Sequence, residues 1–277
     1  MSYVDQADRL RRLVMDSAQG DPTAGELPLV MIAGAKGGVG VTTVAVNLSL
    51  ALADRGLSIA LVDANLHQPD IATLCGIQEK GTLQDALSGR RTIQEVLHRG
   101  PSGVQIVPGT WAPDDRHQTG QFDPQRLRGA LRRLGTQADA IVVDAGSTPG
   151  PLAAACWRDA RLAVVVTVPD TVSVMDAYAT IKLHAAEVPS AGVHVLVNRG
   201  EGPVADDEVY QRIRRACERF LRLEVGDLPP VPDDLHVPQC QRPIAVEQPA
   251  SPVAQAFTSL AQHVAQLLAR HAQCSIG

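Results

Sequence analysis

The chain has 277 residues, 45% of them apolar and only 3% aromatic, enough aliphatic material for the core of one large α/β domain or two small ones. A net charge of −5 argues against nonspecific binding to nucleic acid or to an acidic membrane surface. The cysteines, Cys75, Cys156, Cys217, Cys240 and Cys274, are scattered with no C-x-x-C pair, and no apolar run is long enough to span a bilayer, so the expectation is a cytoplasmic protein without a thiolate metal site.

In chain order, residues 2–17 have Ala7, Leu10 and Val14 at helical spacing, which predicts an amphipathic helix, and Gly20-Asp21-Pro22 ends it in a linker over 18–27. Short aliphatic runs bounded by turn residues predict strands at 29–34, 58–63, 104–107, 140–144, 162–168 and 193–198. Helical segments alternate with them at 43–55, 82–88, 92–98, 124–134, 151–157, 173–187 and 205–222. Residues 226–252 are proline-rich and read as an ordered loop with little regular structure. A last helix over 252–271 carries the stripe Val253, Phe257, Leu260, Val264, Leu267 and Leu268, which either covers the sheet or lies on a membrane surface. Its polar face, with Arg270 as its clear cation, suits anionic lipid poorly. The alternation predicts an α/β fold: a three-layer, doubly wound, mostly parallel sheet over 28–277, preceded by the helix and linker of 1–27.

The chemistry-bearing stretch is Gly34-Ala35-Lys36-Gly37-Gly38-Val39-Gly40-Val41-Thr42-Thr43, between a predicted strand and a predicted helix. That is the setting of a phosphate-binding P-loop. Gly37, Gly38 and Gly40 let backbone N–H groups turn toward an anion, the helix N-terminus adds its dipole, and Thr42 stands where a hydroxyl binds Mg²⁺. The motif ends in G-K-[ST], yet Val41 occupies the lysine position. Losing that cation removes charge-assisted contacts of roughly 1.5–3 kcal/mol, or about 10- to 150-fold in affinity. Two strands end in carboxylates, Asp63 and Asp144, ordered after the loop as an Mg²⁺ site requires.

The loop resembles the deviant Walker A of the MinD/ParA ATPases, with Lys36 matching the family's signature lysine. The resemblance implies ATP and Mg²⁺ as cofactors. Gly37, Gly38, Val39, Gly40, Val41, Thr42 and Thr43 would form the cradle, with Thr43 at the α-phosphate. Thr42 and Asp63 would hold the metal, with Asp144 behind them, and Lys36 would reach across an ATP-bound homodimer. Asp63-Ala64-Asn65 resembles the switch element D-x-D, with Asn65 in place of the aspartate that orients the attacking water. Asn198, after a late strand, is similar to the family's adenine-contacting asparagine.

Within that family the chain is most similar to the FlhG (FleN/YlxH) group, which controls flagellar number and placement. Asp5-Gln6-Ala7-Asp8-Arg9-Leu10-Arg11 matches its motif D-Q-A-x-x-L-R. Residues 169–182, 208–222 and Gln241-Arg242-Pro243 are also similar, and the resemblance covers residues 3–268. It implies that Asp5, Gln6, Ala7, Leu10 and Arg11 engage an FlhF-type GTPase, with Gln6 acting in trans on GTP. It further implies a cytoplasmic protein, peripheral at the inner face of the cell membrane, with weak membrane association and no specific nucleic acid. Asparagine can hydrogen-bond water but cannot accept its proton. Val41 and Asn65 together therefore predict slow or lost ATP hydrolysis. The alternatives are a TadZ/CpaE-type pilus-localisation protein, whose usual receiver-like domain does not fit before the first strand, and a nucleotide-free adaptor.

Overall fold

A computed structural model describes residues 29–111, 123–185, 192–235, 237, 240 and 242–274. The predicted helix at 2–17 and its linker, with Asp5, Gln6, Ala7, Leu10 and Arg11, lie outside the described residues.

The elements run in the order β1 (Leu29–Gly34), α1 (Val41–Ala53), β2 (Ile59–Asp63), α2 (Ile71–Leu74), α3 (Leu83–Leu87), β3 (His98–Arg99), β4 (Gln105–Val107), α4 (Pro124–Gly135), β5 (Ala140–Asp144), α5 (Pro151–Asp159), β6 (Leu162–Thr167), α6 (Thr171–Ala185), β7 (Gly192–Gly200), α7 (Pro203–Leu221), β8 (Gly226–Asp227), β9 (Val231–Pro232), α8 (Ile244–Glu247) and α9 (Pro252–Cys274). The sheet order is β3-β4-β2-β5-β1-β6-β7-β8, with β9 also on β7. Among the described residues only the short β3 runs antiparallel to its neighbour. This is the doubly wound, mostly parallel sheet that the alternation predicts.

Both faces of the sheet are covered, and alternation within each strand assigns the sides. Leu29, Met31, Ala33, Ile141 and Val143 join one core with side chains of α4, α5, α6 and α7. Val30, Ile32, Leu61 and Val142 join the other with α1 and α9. The stripe of α9 belongs to this second core: Val253, Phe257, Leu260 and Val264 are buried, while Leu267 and Leu268 pack partly against it. That face is spent on α1 and the sheet, at about 1.5–3 kcal/mol for each large side chain fully buried. It is not the free apolar face that a membrane-surface helix needs. Among the described residues no helix is long and apolar enough to cross a membrane.

Three sequence expectations change. The helix at 92–98 is a single 3-10 turn, Gln94–Val96, followed by β3. Ile93 and Val96 bury one turn apart. Gly100-Pro101 then forces the chain back, so His98 and Arg99 pair with Ile106 and Gln105. The proline-rich segment holds β8, β9 and α8, short pieces that extend the β7 edge and support α1. Helix α1 also begins earlier than predicted, at Val41, because Gly40 already caps it in the left-handed conformation (φ 92°).

Candidate functional site

The phosphate loop leaves β1, a central strand flanked by β5 and β6: the helix after β1 covers one face of the sheet, whereas those after β5 and β6 cover the other. Ligands of open α/β sheets bind at such a point, beyond the carboxyl ends of the strands. The loop is tied down at its start: Gly34 N donates to Gly146 O (2.8 Å) and Ala35 N to Val166 O (3.0 Å). Gly37 and Gly38 are exposed, with open space where a Cβ would stand. Thr42 and Thr43 lie in the first turn of α1, where backbone N–H groups lack helical partners. Backbone cradle, helix terminus and hydroxyls are therefore together.

Val41 points the other way. It is buried in the core beneath the loop, beside Val39 and close over Gly34, where any Cβ would collide with its methyl group. The position that carries the P-loop cation is here a packing position.

Asp63 and Asp144 end adjacent strands in register, so both side chains fall on the α1 face. Both are completely buried. Asp63 accepts hydrogen bonds from Asn65 N (3.1 Å) and Ile71 N (3.2 Å), and Asp144 accepts one from Gly146 N (2.9 Å). Burial, then the neighbouring Asp144, pushes the Asp63 carboxyl well above its usual range. Burial pushes Asp144 up to about 6, against the opposing pull of the Thr42 hydroxyl and Gly146 N–H. Asp144 Oδ2 has no hydrogen-bond partner among the described residues. A buried carboxylate oxygen without a donor, beside a second carboxylate and a hydroxyl, fits a hard cation that takes oxygen ligands, as Mg²⁺ does. Asp70, at the N-terminal boundary of α2, also bears on both carboxylates and raises them further. Sequence reasoning missed Asp70; its signal was an aspartate just before a short apolar helical run, seven residues past Asp63.

The remaining predicted residues are brought to the same end of the sheet. Asn65 packs against Gly146, and its Oδ1 accepts Gln68 N at 3.3 Å. Asn198 is buried, and its Nδ2 donates to Val39 O at 2.8 Å, tying β7 to the loop. A side chain at Gly40 would strike that amide. Lys36 is half-exposed and pairs within its own chain, Nζ to Asp170 Oδ2 at 3.1 Å and Oδ1 at 3.3 Å. Asp170 caps α6 through Ser173 Oγ (2.6 Å) and Ser173 N (2.9 Å). Those two bonds, then Lys36, hold its carboxyl below the usual range. A further missed residue is Asn47, buried in α1: Nδ2 donates to Thr43 O (2.8 Å), and Oδ1 accepts Ala245 N (3.0 Å) from α8.

A ParA family model, described as the NUBPL iron-transfer P-loop NTPase, matches residues 28–265. The chain is 32% identical over 239 residues to the antiactivator FleN of Pseudomonas aeruginosa, covering 85% of each. It is similar in structure to the cell division ATPase MinD of Pyrococcus furiosus (TM-score 0.69, 26% identity, covering 87% of this chain and 99% of that one). The fold is also that of MinD complexed with Mg-ADP from Pyrococcus horikoshii (TM-score 0.70, 24% identity, covering 86% and 95%). The chain belongs to the ParA family of P-loop NTPases, with the MinD-type fold.

Proposed function

We propose that this chain is a nucleotide-dependent regulator of flagellar number or placement, of the FleN/FlhG kind, which binds ATP with Mg²⁺ at Gly34–Thr43 and hydrolyses it slowly. The observation that carries the nucleotide reading is the buried pair Asp63 and Asp144, with an unpartnered oxygen on Asp144, beside Thr42 in the first turn behind the loop. The flagellar reading rests on the likeness to FleN and on the D-Q-A-x-x-L-R stretch, Asp5–Arg11.

Each group has a task. Gly37, Gly38 and Gly40 offer backbone N–H donors to phosphate oxygens, and Thr43 stands by the α-phosphate. Thr42 and Asp63 hold Mg²⁺, with Asp144 adjoining, and the ion supplies charge neutralisation at the phosphates. Asn65 orients a water but cannot take its proton, so the reaction lacks a general base at that position. Val41 supplies no cation, which leaves Lys36 as the loop's only lysine. In the proposed dimer Lys36 leaves Asp170 and neutralises phosphate charge on the partner. Asn198 braces the loop and contacts adenine. Gln6, with Asp5, Ala7, Leu10 and Arg11, acts on an FlhF-type GTPase.

Titration with a fluorescent ATP analogue tests the site. Saturable binding strengthened by Mg²⁺, and weakened about tenfold or more in Thr42→Ala, is expected. Absence of binding at millimolar nucleotide would make the chain a nucleotide-free adaptor. For the partner, Gln6→Ala is expected to bind nucleotide normally and to lose stimulation of the GTPase; equal stimulation by both proteins refutes that role.

A further inference from the structure

A second cleft, of about 720 Å³, opens where the turn after α2, the strand β3 and the segment before α8 meet. None of the loop residues 34–43, nor Asp63, Asn65, Asp144 or Asn198, lines it. Ile77 and Leu97 form an apolar floor packed onto the two cores, and Lys80, His98, Arg99 and Arg242 line the walls.

Charge sets this cleft apart from the rest of an acidic chain. Among the described residues no carboxylate pairs with the side chains of Lys80, Arg99 or Arg242. The acidic residue in the lining, Glu95, accepts at Oε2 from Thr92 N (2.7 Å) and Thr92 Oγ1 (3.0 Å). Glu247 meets Arg242 at the backbone, accepting its N–H at 3.0 Å. The backbone at Lys80 is held in place. His98 Nε2 accepts the Lys80 N–H at 3.5 Å, leaving Nδ1 as the ring's donor, and the Arg91 guanidinium bonds the Lys80 carbonyl. Three exposed cations without an ion-pair partner among the described residues, with Glu95 as the carboxylate in the lining, repel one another, and an anion that enters relieves that repulsion. Two guanidinium forks and an ammonium match phosphoryl oxygens.

We infer that this cleft is a second anion site, independent of the phosphate loop, which takes a phosphate ester. The ester is either a soluble phosphorylated small molecule or the phosphate of a lipid headgroup. Inorganic triphosphate is titrated calorimetrically into the full chain with Mg-ADP present, and separately into the Lys80→Ala/Arg99→Ala/Arg242→Ala variant, whose fold is checked by its thermal melt. Co-sedimentation with phosphatidylglycerol vesicles forms the parallel arm. Triphosphate binding that weakens at least tenfold in the triple variant, and that Thr42→Ala leaves unchanged, supports a soluble ligand. Vesicle binding lost in the triple variant, without triphosphate binding, supports a lipid phosphate. An isotherm identical in wild type and triple variant, or no binding in either arm, overturns the inference.

Discussion

Val41 turns its side chain under the phosphate loop and not toward the ligand, and Gly34 leaves room for it. A lysine at this position would have to leave that space and reach out over the loop. Val41→Lys is therefore expected to raise nucleotide affinity by about 10- to 150-fold while lowering stability by about 1 kcal/mol, measured by titration and thermal melting. Asn65→Asp restores a proton acceptor beside Asp63 and is expected to raise ATP turnover by about 10²–10⁴-fold in a phosphate-release assay. The buried carboxylates set a pH dependence. Asp144 has an ordinary value of 3.8 and stands at about 6 in the folded chain, so the folded state retains a proton that the unfolded state loses. Its contribution to stability therefore falls as pH rises from about 4 to about 6 and is flat above. Without Mg²⁺, wild type is expected to gain melting temperature relative to Asp144→Asn as pH falls from 7 to 5. Because Mg²⁺ needs both carboxylates ionised and burial raises both, its apparent affinity should drop by at least about tenfold per pH unit below 6. The glycines, the hydroxyls and both strand-end aspartates were legible in the sequence because each is defined by its immediate neighbours along the chain. The inward direction of Val41 was not, since it depends on packing between the loop and β1.

At the scale of elements, α1 is held from both ends of the chain. Its N-terminus is the loop itself, and its middle is pinned by Asn47, which joins Thr43 O to Ala245 N of α8 across 198 residues. Removing that amide strands a backbone N–H in a partly buried contact. Asn47→Ala should cost about 1–3 kcal/mol in denaturant unfolding, and loosening of the Thr43 turn should weaken nucleotide binding as well. Long strands and helices were legible because their apolar periods persist over many residues. The short pieces were not: β3, β8 and β9 are two residues each, too short for any period, and exist because a longer strand offers them an edge. The segment 92–98 shows the converse. Its apolar spacing suits a helix, but the pairing of His98 and Arg99 with β4 takes its last turn.

At the scale of the molecule, Lys36 links the loop to the start of α6 through Asp170, a pairing 134 residues apart that no local pattern reveals. The contact is half-exposed, so solvent screens it. It therefore restrains Lys36 weakly, and nucleotide phosphate can displace Asp170. Asp170→Ala should lower the nucleotide concentration needed for assembly by no more than about fivefold. The direct measurement is molar mass by light scattering during titration with Mg²⁺ and a non-hydrolysable ATP analogue, for wild type beside Lys36→Ala. Mass doubling in wild type at saturating nucleotide, with Lys36→Ala still binding nucleotide but remaining monomeric, is the expected result. A wild-type chain that stays monomeric with its site filled, or a Lys36→Ala variant that dimerises equally well, contradicts a nucleotide switch operated through Lys36.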